Sequence, residues 1–278
     1  MTVLVFTLLV FAGSMTAGLL GALTGLGGGV VLVPLLTLAF HVDLRYAIGA
    51  SLISVIATSS GAAAAYVREG YSNVRIGMFL EIATTLGALL GAFLAAKVPT
   101  RALAAIFGAV LIYSAWLSWQ GDPEDVEEKD NPWADRLRLA GSYPRRTGEM
   151  VHYTVDRIPA GFVTMFGAGT LSGLLGIGSG AVKVLAMDRI MRIPFKVSTT
   201  TSNFMIGVTA AASAGIYLKR GYIEPGLAAP VMLGVLLGSL AGARLLVGAR
   251  VAVLRTIFAI VILSLGIEMI ASGWTGKL

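Results

Sequence analysis

Apolar residues in this chain do not alternate with polar ones; they run on in long stretches. Such stretches occupy residues 2–24, 46–67, 76–96, 102–119, 159–175, 197–218, 225–247 and 251–272. Each is close to the ~20 residues that a helix needs to cross a hydrocarbon core of about 30 Å. Two shorter apolar pieces, 30–40 and 181–191, follow glycine-rich breaks and predict short or half-spanning helices. The first stretch begins at Thr2 with no basic segment before it and runs directly into further apolar chain, so it reads as a retained span rather than a cleaved signal. The fold class predicted is an all-α membrane protein of two homologous halves, arranged as inverted repeats of about five helical segments each, with glycine-broken helices.

Residues 120–158 are the one long polar segment. It opens on the acidic run Asp122-Pro123-Glu124-Asp125-Val126-Glu127-Glu128, continues through a short amphipathic stretch from Asp135 to Leu139, and then alternates. Met150, His152 and Thr154 oppose Val151, Tyr153 and Val155, the period of a small surface hairpin. This divides the chain into a first transmembrane repeat (1–119), a polar connector (120–158) and a second transmembrane repeat (159–278).

The two halves are copies. Adding 151 to a first-half position lands on its counterpart, without gaps over some 80 residues. Gly25, Gly27 and Gly29 fall on Gly176, Gly178 and Gly180, and Ser51 falls on Ser202. Thr58 falls on Thr209, and Tyr66, Gly70 and Tyr71 fall on Tyr217, Gly221 and Tyr222. Apolar bias alone produces chance Ala and Leu matches, but it does not align a Tyr-x3-Gly-Tyr pattern and a glycine cluster at one offset.

Composition sharpens the picture. Charged residues are 13% of the chain against about a quarter in a soluble domain, apolar residues are 56%, and mean hydropathy is +0.83. The net charge of +6 belongs to loops, not to a basic face, so nucleic acid is not a predicted partner. There is no cysteine, and His41 and His152 stand in no metal-ligand spacing, so no cofactor or metal is expected. Charge also orients the chain. If each short piece crosses the membrane, thirteen of the 21 basic residues collect on the connector's side and six on the other, with Lys183 and Arg244 inside segments. If the short pieces are re-entrant, the division is nearly even. The positive-inside rule therefore places the connector in the cytoplasm and Met1 outside, with the halves inverted.

Three features could carry chemistry. The first is Gly25-Leu26-Gly27-Gly28-Gly29 with its copy Gly176-Ile177-Gly178-Ser179-Gly180. Glycines at that density disfavour continuous helix by about 1 kcal/mol each relative to alanine. A chain unwound in lipid needs polar partners or a cavity, and a restarting helix offers free N–H groups to an anion. Close helix packing is the alternative reading. The second is the polar run Ser198-Thr199-Thr200-Thr201-Ser202-Asn203, with Ser51, Ser54, Thr58, Ser59 and Ser60 in the first half. These side chains can cap a helix start and present donors, or bond between helices.

The third is Lys183, a lone cation in an apolar segment whose counterpart is Leu32, suited to an anionic ligand. The residues proposed to bind substrate are therefore Gly27, Gly28, Gly29, Ser51, Gly178, Ser179, Gly180, Lys183, Ser202 and Asn203. No catalytic residue is assigned. Glu81 and Glu268 also interrupt apolar runs; either could carry a proton, but Glu81 lies only six residues from Arg75 and Glu268 lies near the chain end, so both read as surface residues. Gly87-x3-Gly91 and Gly238-x3-Gly242 read as helix-packing motifs.

At these residues the chain resembles the TauE/SafE family of sulfite and organosulfonate exporters, which are 4-toluene sulfonate uptake permease-like transporters. Gly25-Leu26-Gly27-Gly28-Gly29-Val30-Val31-Leu32-Val33-Pro34 fits the family's Gly-x-Gly-Gly-Gly motif and the Val-Pro that often follows it. The second copy departs from it at Ser179 and Leu185. Ala47-x3-Ser51, Ser198-x3-Ser202 and the Gly-Tyr turns at 70–71 and 221–222 are also similar. The resemblance implies export of sulfite, organosulfonates or related small anions across a prokaryotic plasma membrane. No ATP-binding loop is present, so a secondary transporter is expected, with a channel or permease for another small anion such as a carboxylate as the alternative. An intramembrane enzyme lacks a nucleophile–base pair or paired buried acids. The expected partners are a small anionic substrate and the bilayer, and a homo-oligomer is compatible with the chain.

Overall fold

The structure is a computed structural model, and it describes residues 2–24, 28–68, 72–119, 136–137, 139–144, 150–246 and 251–276. Ten helices occur among them: α1 (Val3–Thr24), α2 (Gly29–Pro34), α3 (Leu44–Arg68), α4 (Val74–Ala95), α5 (Thr100–Trp119), α6 (Ile158–Leu175), α7 (Gly180–Leu185), α8 (Phe195–Lys219), α9 (Pro225–Leu246) and α10 (Val251–Thr275). The short helices α2 and α7 each continue into a wider π-helical turn, Leu35–Ala39 and Ala186–Ile190. Their eleven-residue total agrees with the expected half-length pieces. Among the described residues, four helical stretches are long and apolar enough to cross a membrane: Val3–Gly21, Val74–Ala95, Ile158–Leu175 and Pro225–Gly242.

α4 shows how such a helix sorts its faces. Met78, Ile82, Leu86, Leu90 and Phe93 are exposed, each three or four residues after the last, and form a lipid-facing stripe. The opposite stripe is small or polar and buried: Gly77, Glu81, Thr84, Ala88 and Gly91. Association of helices in lipid depends on close packing and interhelical hydrogen bonds, because the tails already solvate apolar side chains. Small residues on the inner face follow from that.

The glycines show how close the packing is. A Cβ added to Gly87 or Gly91 would fall 2.1 Å or 2.0 Å from the carbonyl oxygens of Phe166 and Thr170 on α6. One added to Gly169 or Gly173 on α6 would fall 2.1 Å or 2.0 Å from those of Thr84 and Ala88 on α4. The same arrangement recurs between α1 and α9, where Gly18 meets Val235, Gly234 meets Phe11 and Gly238 meets Met15. In both pairs the contacts advance together along the two helices, so α4 runs parallel to α6 and α1 parallel to α9.

α8 also runs parallel to α4. Asn73 meets Thr201, Gly77 meets Thr201 and Phe204, and Glu81 meets Thr209. α3 runs against α4, since Arg45 near its start donates to the carbonyls of Ala95 and Val98 at the end of α4. Arg220, just past α8, donates to Ala92 and Phe93 at that same end. The remaining large contacts join α3 to α8, α5 to α10 and α3 to α9. These large contacts between the halves thus map onto one another with the roles of the halves exchanged, and the two halves interlock rather than sit side by side.

The expected hairpin is present. β1 (Gly141–Pro144) pairs antiparallel with β2 (Met150–Tyr153), Ser142 opposite His152. Tyr153 and Val155 are buried and Leu139 with them, in a cluster with Ile76 and Leu80 of α4 and with Met187, Met191 and Ile193 beside α7. The Tyr153 hydroxyl accepts from Asn73 Nδ2 at 2.8 Å, while Asn73 Oδ1 caps α4 by accepting from the Ile76 N–H. Burial pushes the Tyr153 phenol pKa up, and the Asn73 bond opposes this in part. The amphipathic stretch at Asp135–Leu139 and the acidic run lie wholly or largely outside the described residues.

Candidate functional site

The second-half break is well defined. α6 ends at Gly176 with φ +69°, its N–H bonded to the Ser172 carbonyl, and Gly178 also has φ +69°. That left-handed conformation is what glycine tolerates without steric cost. Ser179 follows with φ 46° at the start of α7, 3% exposed, and its hydroxyl has no partner among the described residues. In the first half Gly25 to Gly27 lie outside the described residues, so the assignment of Gly27 rests on sequence alone. Gly28 keeps a right-handed conformation, φ −63°, and faces Val235 and Gly18.

The two breaks lie together against α3. Ser51 Oγ donates to the Gly176 carbonyl at 2.8 Å, and a Cβ on Gly29 would lie 2.7 Å from that Oγ and 3.2 Å from the Gly176 oxygen. A Cβ on Gly178 would meet Ile206 of α8 and Val55 of α3, the residue that also borders Gly29. On the other side Ser202 Oγ donates to the Gly180 carbonyl at 3.4 Å. Gly28, Gly29, Ser51, Gly178, Ser179, Gly180 and Ser202 are thus gathered around one region.

The polar run of α8 is not a cap. The helix starts at Phe195 after Pro194, so residues 198–203 lie inside it. Ser198, Thr199 and Thr200 donate to the carbonyls of Ile193, Phe195 and Val197, and Thr201 accepts from the Asn73 N–H. Their hydroxyls are spent on backbone groups nearby, as serine and threonine within helices commonly do. Asn203 differs. It is half-buried, has no hydrogen-bond partner among the described residues, and lies one turn before Gly207, where a Cβ would meet Ser59 of α3.

Lys183 is fully buried. Its Nζ donates to Thr209 Oγ1 at 2.6 Å, and Thr209 Oγ1 lies 2.7 Å from Glu81 Oε1. Thr85 donates to the same carboxylate oxygen at 3.1 Å. Glu81 is therefore not a surface residue: it is 8% exposed, and its Oε2 is buried with no partner among the described residues. The sequence reading placed it outside because of nearby Arg75, but Arg75 is exposed on a different face of α4. The useful signal was the buried stripe to which Glu81 belongs, shared with Gly77, Thr84 and Gly91. Glu268 is exposed on α10, as expected.

Tightly interlocked apolar helices, half-length helices at glycine breaks and a charged network sealed among them define a multi-pass membrane transporter. Residues 10–269 match the sulfite exporter TauE/SafE family, and the chain belongs to that family. It is 27% identical to the probable membrane transporter protein YunE of Bacillus subtilis (strain 168) over 278 residues, covering 96% of this chain and 98% of that one. It is 25% identical to the probable membrane transporter protein YdhB of the same organism over 228 residues, 82% of this chain and 85% of that one. A probable membrane transporter protein of Sinorhizobium sp, ORF9, is 24% identical over 94% of this chain and 91% of its own. No solved structure matches the chain. The protein is thus a multi-pass transporter of the prokaryotic cell membrane.

Proposed function

We propose that this transporter is a secondary exporter of a small sulfur oxyanion, sulfite or an organosulfonate, working by alternating access. The observation that carries the reading is Lys183: a fully buried ammonium one turn into α7, close to a glycine break whose Ser179 hydroxyl has no partner among the described residues. Ionisable groups inside the membrane are costly and are retained where they meet a ligand, an ion or each other. The anion is held by the Ser179 hydroxyl, backbone N–H groups at Gly27–Gly29 and Gly178–Gly180, the Asn203 amide and Lys183, and by the Ser51 and Ser202 hydroxyls once these turn from the Gly176 and Gly180 carbonyls.

Alternating access needs two arrangements of equal stability, and inverted repeats supply them. The helix directions support inversion: α6 and α8 both run with α4, whereas α1 runs with α9, which turns back from α8 within residues 220–224. By those directions α1 opposes its own copy, α6.

Thermal unfolding of the purified protein across sulfite, methanesulfonate, sulfate and acetate tests the reading. Sulfite or methanesulfonate is expected to raise the midpoint, and Asn203→Ala to abolish the rise. Stabilisation by acetate alone would transfer the site to carboxylates.

A further inference from the structure

Glu81 and Lys183 come from different halves of the chain and from helices α4 and α7, yet they meet on one hydroxyl, that of Thr209 on α8. A threonine hydroxyl has one hydrogen and two lone pairs. Thr209 Oγ1 accepts from Lys183, so its hydrogen has three acceptors in reach: Glu81 Oε1 at 2.7 Å, the Met205 carbonyl at 3.0 Å and, more distant, Thr84 Oγ1 at 3.4 Å. The first suits an ionised Glu81. When Glu81 carries a proton, its own O–H donates to Thr209, and the threonine hydrogen turns to Met205. Both arrangements satisfy every group on the hydroxyl without moving a heavy atom.

The mirror position in the other half supplies an internal control. Lys183, Thr209 and Glu81 correspond to Leu32, Thr58 and Met232. There Thr58 donates to the Ser54 carbonyl of its own helix at 3.0 Å, and Leu32 is fully buried. The architecture therefore packs at that position without charges. Two charges placed in lipid where the copy has none call for a role other than folding.

Resting on the reading of Lys183 as an anion-binding group, we propose that Glu81, Thr209 and Lys183 form a proton-coupling site. A proton taken from water onto Glu81 releases the ammonium to pair with the cargo, so that anion and proton cross together, outward when the anion's own gradient exceeds the opposing proton gradient. The charge count favours this scheme over anion binding alone. Empty, the site holds one ammonium and one carboxylate; loaded, it holds ammonium, anion and neutral carboxylic acid. It is neutral in both, which keeps an uncompensated charge out of the low-dielectric interior during reorientation. Among the described residues Lys183 is the only charged side chain acting on Glu81, whose other polar neighbours are Thr84, Thr85 and Thr209. The proton lands on Oε1, the oxygen within 2.7 Å of Thr209, while Oε2 is buried without a partner among the described residues.

The test uses the full chain in proteoliposomes, with radiolabelled methanesulfonate and sulfite as probes. Methanesulfonate stays a monoanion across the usable pH range, so any proton that moves with it is carried by the protein. One-to-one coupling predicts accumulation of about tenfold for each pH unit of imposed gradient, and no response to a potassium diffusion potential. A trapped pH dye should record one proton per methanesulfonate. Glu81→Gln is expected to lose the proton-driven accumulation. Infrared spectra of the wild type should show a protonated-carboxyl band that grows when methanesulfonate is added and is absent from the variant. Flux that follows the electrical potential, without proton movement or a Glu81 band, overturns the coupling and leaves the anion reading intact. If neither probe binds or moves, the anion reading falls and the proposal falls with it.

Discussion

Ser51 of the first half donates to the Gly176 carbonyl of the second across 2.8 Å, at the point where α6 stops. A carbonyl at a helix end has no partner within its own helix, and in a buried setting that vacancy is costly. Ser51 fills it from another helix. Ser51→Ala is therefore expected to lower stability by about 1–3 kcal/mol. Ser202→Ala, removing a bond of 3.4 Å, should cost less than about 1 kcal/mol. Unfolding of the two variants in the same detergent compares them, and equal losses would contradict the assignment.

Lys183 is now tied to stability as well as to ligand. Lys183→Ala leaves the Glu81 carboxylate buried without its counter-charge, a loss on the order of 3–5 kcal/mol. Adding Glu81→Gln to that variant removes the stranded charge and should restore most of the melting temperature. If the double variant melts no higher than Lys183→Ala, the two residues do not act as a pair.

Four glycines at the α4–α6 crossing differ sharply from their neighbour Gly167, where an added Cβ would meet no other part of the described structure within 4 Å. Gly169→Ala puts a methyl 2.1 Å from the Thr84 oxygen and must part the helices, with loss of expression and a lower melting point. Gly167→Ala gains helix propensity, up to about 1 kcal/mol, with no clash. A melting measurement on this pair separates crowding from composition.

Tyr153 predicts an alkaline weakness in the connector. Its pKa is raised in the folded protein, so the contribution it makes is fully present below the ordinary tyrosine range near ~10. That contribution is lost as pH rises through the folded value. Proteolysis of the connector should accelerate in that window for the wild type, and Tyr153→Phe should flatten the pH profile. A wild-type profile with no such acceleration would count against docking through Asn73.

Met150 is about half exposed on the hairpin, and the chain has no cysteine of its own. Met150→Cys in intact cells is expected to resist an impermeant thiol reagent until the membrane is opened. Labelling from outside would reverse the proposed orientation.

The spans and the duplication were legible in the sequence because each rests on many residues. A twenty-residue apolar stretch or a fixed offset tolerates local exceptions. The hairpin was legible for the same reason, since its alternation runs from Met150 to Val155. Glu81 was misread because proximity along a helix was taken for proximity in space. Six positions at about 100° each put it roughly 240° around α4 from Arg75. Its real neighbour, Thr209, is 128 residues away. The polar run of α8 was misread for a related reason. Nothing in the sequence of hydroxyls tells whether each turns to its own backbone, to another helix or to a ligand, and nothing in it marks Asn203 as the amide with no hydrogen-bond partner among the described residues.

The interlocking of the halves also bears on how the protein is made. α1 leaves the ribosome long before α9 (Pro225–Leu246), the helix that completes its glycine and small-residue face. Until α9 emerges that face has no mate, and the insertion machinery or a neighbouring lipid must occupy it. A chain truncated before α9 leaves α1 unmatched, and the quality-control proteases of the membrane should remove it. Supplied as two polypeptides cut within the connector, the halves should instead find each other, because the surfaces that recognise one another lie between the fragments rather than within them.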